Sequence, residues 1–252
     1  MEAARVGTSG WIYKGWAASF YPPGVGKSGH LPFYASRFDT VEINASFYRL
    51  PTPEAARGWA RAVPRDFVFA MKGSRFITHM KKLAVERSSI QIFFDRARCI
   101  GRKLGPILWQ LPPQLGYDPA RLERFLRIVP RRYEHAVEFR HPSWYEQDRT
   151  FEILREYNAA HVSVSSLGMP ADQRVTADFV YVRFHGLEGG PAHDYTREQL
   201  RPWAMHCRRC LRRGIRVHAY FNNDVNTRAP ANAETFRSMI AATAAPARAA
   251  SR

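Results

Sequence analysis

Carboxylates, fixed cations and imidazoles recur in this sequence at the ends of short apolar runs, where an ordinary buried strand carries none of them. In residues 39–48 the apolar Val41 and Ile43 alternate with Glu42 and Asn44, and a period of two places the polar pair on one face. The same parity groups Val68, Ala70 and Lys72; Leu108 and Gln110; Ala136, Glu138 and Arg140; Tyr181, Arg183 and His185; and His218, Tyr220 and Asn222. A single pair such as Glu42 with Lys72 is as readily structural as functional. Several runs doing this in phase point to a pocket, because each buried charge is costly unless compensated.

The chemistry these types support is general acid/base catalysis. Glu42 or Glu138 would serve as base, and His185 or Lys72 as acid or electrophilic stabiliser. Asn44, His79, Gln110, Arg140, Arg183, Asn222 and Asn223 are candidate substrate anchors, with Tyr48, Trp144 and Tyr220 as an apolar wall. Lys72, Arg140 and Arg183 outnumber the two carboxylates, so the pocket suits a small anionic ligand, a phosphate or carboxylate, or a sugar-like one. A hydrolase, lyase or isomerase fits, and a non-catalytic sensor would use the same residues. Glu42, Glu138 and His185 could ligate a divalent metal, but the cations among them oppose it, so neither metal nor other cofactor is expected.

Positioning these residues requires strands that share a mouth. Strands are expected over residues 5–11, 40–44, 67–72, 106–111, 135–139, 161–165, 179–184 and 216–221, and helices over 31–38, 53–62, 89–100, 118–128, 143–157, 196–213 and 231–245. Residues 73–83, which hold Thr78 and His79, read as a polar, basic loop. Eight strands alternating with helical or loop-plus-helix segments indicate an α/β fold, a single (β/α)8 TIM-type barrel over residues 1–245, with 246–252 a frayed tail. The polar residues then gather at the C-terminal face, where such barrels build sites. A doubly wound sheet would want a Gly-rich dinucleotide turn, which Gly7-Thr8-Ser9-Gly10 is not. Gly26-Lys27-Ser28 lacks the earlier glycine of a phosphate loop, since Tyr21 occupies that position.

With 252 residues, 45% hydrophobic and 13% aromatic, the chain can bury a barrel-sized core. Three cysteines make no disulfide framework, and the Cys207–Cys210 spacing has no second pair to complete a zinc site. Without an apolar leader or membrane span, a soluble, cytoplasmic protein is expected. The net charge of +16 is mostly arginine spread over helices, best read as solvated faces; binding or processing of nucleic acid is the alternative function.

The chain resembles the domain-of-unknown-function 72 (YecE-like) family, through Gly7-Thr8-Ser9-Gly10-Trp11, Phe20-Tyr21-Pro22, Val41-Glu42-Ile43-Asn44 with Phe47-Tyr48, Thr78-His79, Gln110-Leu111-Pro112, Val137-Glu138-Phe139-Arg140 with Ser143-Trp144, Arg183-Phe184-His185-Gly186 and Tyr220-Phe221-Asn222-Asn223-Asp224. The resemblance implies a single TIM-type barrel and brings no established reaction. Ala45 departs from the Ser or Thr that commonly follows the Asn in the family, and Ser46 is the neighbouring hydroxyl.

Overall fold

In the computed structural model, which describes residues 4–17 and 19–241, the alternating runs form eight parallel strands: β1 (Arg5–Thr8), β2 (Thr40–Ile43), β3 (Val68–Lys72), β4 (Leu104–Gln110), β5 (His135–Glu138), β6 (Ala159–Ser166), β7 (Phe179–Gly186) and β8 (Arg216–Phe221). They pair in sequence from β2 to β8, and β8 then pairs with β1, Arg5 opposite His218. The chain is therefore the expected (β/α)8 barrel.

Parity produces two cores. Ala70, Leu108, Ala136, Ala160, Val162, Val164, Phe179, Tyr181 and Tyr220 meet inside the barrel. Their neighbours Phe69, Met71, Ile107, Trp109, Val137, Val182 and Phe221 pack outward with the helices in a separate cluster. Small inner side chains on β3, β5 and β6 leave room for the bulk of Phe179, Tyr181 and Tyr220.

The outer helices are α1 (Lys27–Arg37), α2 (Pro53–Arg61), α3 (Arg87–Ala97), α4 (Pro119–Ile128), α5 (Asp148–Glu156), α6 (Arg197–Arg212) and α7 (Arg228–Ala241). Several start where side chains dictate. Thr52 and Asp118 cap α2 and α4, each followed by a proline at the first helical position, and Thr196 with Gln199 forms a reciprocal capping box on α6. Residues 167–178, between β6 and β7, contain no α-helix. There Thr176 Oγ1 accepts the His161 N–H and donates to Ala159 O, both at 2.7 Å, while Arg174 lies 3.4 Å over the Phe151 ring. Polar anchors do what a helix does elsewhere.

The last seam, β1 against β2, carries one bridge, Ser9 to Glu42. Tyr34 of α1 reinforces it, its hydroxyl accepting the Thr8 N–H at 2.9 Å and donating to Thr40 O at 3.0 Å. A Cβ on Gly7 would stand 2.3 Å from Thr40 O, so the close approach of the two strands requires glycine there.

The helix expected over 143–157 is interrupted. Pro142–Trp144 is a short 3-10 turn, and α5 begins only at Asp148 after an extended Gln147. His141 accepts the Ser143 N–H, and the buried Trp144 indole donates to Leu115 O at 2.8 Å, which holds this turn out of line with α5. The helix expected to end at residue 245 is described to Ala241, and the tail 246–252 lies outside the described residues.

Candidate active site

The inward residues at the C-terminal ends of the strands assemble into one hydrogen-bonded cluster. Arg183 of β7 is its hub, donating from Nη2 to Glu42 Oε1 at 2.6 Å and from Nη1 to Glu138 Oε2 at 2.7 Å. Both carboxylates and the guanidinium have no exposed surface. Ser9 donates to Glu42 Oε1 at 2.7 Å and Tyr181 to Glu42 Oε2 at 2.6 Å; Gln110 donates to Glu138 Oε1 at 2.8 Å, and Arg140 pairs with the same oxygen. Every carboxylate oxygen is thus engaged, and the neighbouring guanidiniums of Arg140 and Arg183 hold the Glu138 carboxyl well below the usual range against the cost of its burial.

His185 extends the cluster toward the mouth. Arg140 Nη2 donates to its Nε2 at 2.8 Å, which keeps the imidazole neutral, and Nδ1 lies 3.1 Å from the Asn222 amide. Burial, with the Arg183 charge beside it, lowers its pKa to about 4. Gly186, at φ 93°, turns the chain immediately afterward, where a Cβ would sit 1.7 Å from Gly190 O.

Lys72 differs from the rest. Its ammonium stands 4.3 Å over the Phe47 ring and makes no hydrogen bond or ion pair to any described residue. Two guanidiniums already balance the two carboxylates, so this charge is surplus. Burial first, and Arg183 second, lower its pKa to about 8. Ser46 Oγ donates to Lys72 O at 2.6 Å and contacts Ile43 O at 2.9 Å, tying the ends of β2 and β3. The hydroxyl next to Ala45 therefore has a structural post.

Lys72 opens on a cavity of about 500 Å³ walled by Trp11, Tyr13, Tyr48 and Trp59, with Asn44, Asn222 and Asp224 as its other polar groups. Trp59 braces Trp11 edge-on at 5.5 Å. Tyr48, 79% exposed, stands at the rim. Asp224 forms no ion pair to a described residue, and burial raises its pKa above the usual carboxylate value. It lies in a strained loop: Asn226 and Thr227 both adopt φ 60°, held by Thr227 Oγ1 donating to Gly15 O at 2.9 Å.

His79 sits beside this cavity rather than in it. Residues 76–80, expected as loop, form one wide helical turn closed by Lys81 N–H to Phe76 O at 2.9 Å. There the His79 ring meets the Phe47 ring in a T-shaped contact at 4.8 Å, and its Nδ1 lies 2.9 Å from Thr78 Oγ1.

Four expected site residues, two anchors and two of the apolar wall, lie elsewhere. Trp144 packs on Phe139 at 4.7 Å, outside the barrel under the β4–α4 and β5–α5 loops. Asn223 follows Asn222 on the opposite parity and points outward, donating to His193 O at 2.8 Å and Asn232 Oδ1 at 2.7 Å. Tyr220 is inward but a layer too deep, its hydroxyl 2.8 Å from Thr40 Oγ1. Arg183 is central yet wholly enclosed, so it holds carboxylates, not a ligand. Parity also found Tyr181 without assigning it to the site, whereas Ser9, Tyr13, Trp59 and Asp224 were missed. Ser9 and Asp224 sit one and three residues beyond strand ends, where alternation stops; Trp59 has no signal, since it reaches the mouth from a helix. Among the described residues, no group of three His, Cys, Asp or Glu side chains could hold a metal ion, and no helix is long and apolar enough to cross a membrane.

The family model described as Protein of unknown function DUF72 matches residues 5–251. The UPF0759 protein YunF of Bacillus subtilis is 25% identical over 256 residues, 87% of this chain and 88% of the relative. The UPF0759 protein YecE of Escherichia coli is 31% identical over 125 residues, 49% of this chain and 46% of its own length. Among solved structures, a DUF72 family protein from Thermotoga maritima superposes with a TM-score of 0.86 at 27% identity, covering 94% of this chain and 99% of that one. One from Enterococcus faecalis shares the fold, with a TM-score of 0.82 at 20% identity over 96% and 97%. With a match over nearly its whole length, the chain belongs to the DUF72 family.

Proposed function

We propose that this protein is an enzyme that moves protons on a small anionic or sugar-like substrate held in the cavity above the barrel. Lys72 carries the proposal: an amine with a pKa of about 8, no ion-pair partner among the described residues and an open cavity before it. Near neutral pH such a group both gives and takes a proton. Asp224, its carboxyl shifted up by burial, is the second proton carrier, and Asn44 and Asn222 supply amides for hydroxyl or carboxylate oxygens. Trp11 and Trp59, which line the cavity, supply apolar surface for the apolar side of a sugar ring.

Glu42 and Glu138, the sequence-based candidates for the base, spend their lone pairs on Arg183, Arg140, Tyr181, Ser9 and Gln110. Their role in this proposal is to fix the cluster and to leave Lys72 as the uncompensated charge, which favours a phosphate or carboxylate. The test is a turnover screen of sugar phosphates and of hydroxy and keto acids, followed by Lys72→Met and Asp224→Asn. Each substitution should lower turnover about 10²-fold or more. Retention of turnover within a factor of about two in Lys72→Met would sink the proposal.

A further inference from the structure

Proton transfer leaves one choice of residue unexplained. Of 38 basic side chains only six are lysines, at positions 14, 27, 72, 81, 82 and 103. At a mouth already furnished with Arg140 and Arg183, an electrostatic anchor would be met by a third arginine, which binds anions bidentately and never loses its proton. Position 72 instead holds the basic side chain that becomes a nucleophile on deprotonation.

We infer that Lys72 forms an imine with its substrate, and that the substrate class is an aldehyde or ketone bearing hydroxyl or anionic groups. The inference rests on the proton-transfer proposal, since it uses the same cavity and the same amine. Geometry supports it in three respects. The nitrogen ends β3 inside the mouth, set over Phe47 at 4.3 Å instead of being tied to a carboxylate. The nearest carboxylates, Glu42 and Glu138, are fully engaged elsewhere, so none competes for the amine. The cavity before it, about 500 Å³, holds a small carbonyl compound, and Asp224 lines the same cavity.

The chemistry balances without a further reactant. The neutral amine adds to the carbonyl carbon and its proton passes to the oxygen, giving a carbinolamine. A proton lent by Asp224 then lets that hydroxyl leave as water while the nitrogen lone pair forms the C=N bond, and the iminium N–H proton returns to the Asp224 carboxylate to leave the imine. The net change is amine plus carbonyl to imine plus water, and hydrolysis restores both. The lowered pKa fits this use: near pH 7 about one such amine in ten is free, against one in a few thousand for an ordinary lysine.

The experiment is reductive trapping on the full chain, with glycolaldehyde as probe and sodium cyanoborohydride as reductant at about pH 7, read by intact mass and peptide mapping. Lys72 should be labelled about tenfold faster than the exposed Lys14, Lys27 and Lys81, with a rate that levels off above about pH 8. Lys72→Arg should lose that fast label and keep the slow ones. Labelling of Lys72 no faster than the exposed lysines would overturn the inference. If Lys72→Met abolishes turnover in the screen while Lys72 resists trapping, the imine fails and proton transfer stands. If turnover survives Lys72→Met, both fall.

Discussion

The two ends of this barrel are charged in similar measure and built for different ends. At the N-terminal end a cavity of about 390 Å³ is lined by Arg5, Arg132, Glu134, Arg216 and His218 among others. Arg5 is held by Asp39 at 2.8 Å, and Arg216 by Glu134 and by Asp178 at 3.0 Å. These pairs tie the beginning of β1 to that of β2, β8 to β7 and, across the barrel, β8 to β5. At the C-terminal end Arg183 stitches β2, β5 and β7 in the same manner. The difference is what remains half-buried once pairing is complete: at the lower end Arg132 has no ion-pair partner among the described residues but is exposed, whereas Lys72 and Asp224 face their cavity half-buried with none. Counting polar residues around a cavity does not separate the two ends; the half-buried charge left over after pairing does.

The largest test of this contrast is Arg183→Met. Removing the hub strands two carboxylates with no exposed surface, so urea unfolding should show a loss of about 3–5 kcal/mol. A loss below about 1 kcal/mol would place the upper cluster on a par with surface pairs and break the comparison. Lys72→Met should act in the opposite direction. The folded state lowers this amine's pKa from 10.5 to about 8, so the penalty for holding it charged is present in full below pH 8, shrinks as pH rises and is gone near 10.5. Denaturation near pH 7 should find the variant about 2 kcal/mol more stable, the figure reduced because the nitrogen reaches the cavity, and the gain should fade at alkaline pH. A substitution that stabilises the fold while abolishing turnover is the signature of a residue kept for function. Arg5→Ala should matter least, about 0.2–1 kcal/mol, because its pair with Asp39 is 26% and 42% exposed. Thermal unfolding that shows a larger loss would mean the lower end is as tightly locked as the upper.

The barrel was legible because alternation reports which side chains face inward, and it does so independently of loop detail. Ala70, Leu108, Ala136, Tyr181 and Tyr220 fall inside as their parity requires. Parity is blind to depth, which is why Tyr220 looked like a wall of the pocket when it lies beneath it. It also ends with the strand, so Asn223 and Trp144, carried along by proximity to inward residues, turned out to face other partners. Asp224 was hidden for the same reason, being placed by a strained loop that follows no period. Nor does parity say which charges neutralise one another. Glu42 and Glu138 read as bases from residue type alone, and Arg183 binds both.

The pairing of β1 with β8 carries a consequence for biosynthesis. Of the eight barrel strands the earliest in the chain finds its ladder on the last, Arg5 opposite His218, and on its other side has the bridge from Ser9 to Glu42. Until the eighth strand exists, β1 lacks its principal partner, and such long-range closure is the slow part of folding such a chain. Trp11 and Tyr13 come from the segment after β1, and Asn222 and Asp224 from the segment after β8. The cavity is completed when the ring closes, so it exists only in a chain that has finished folding.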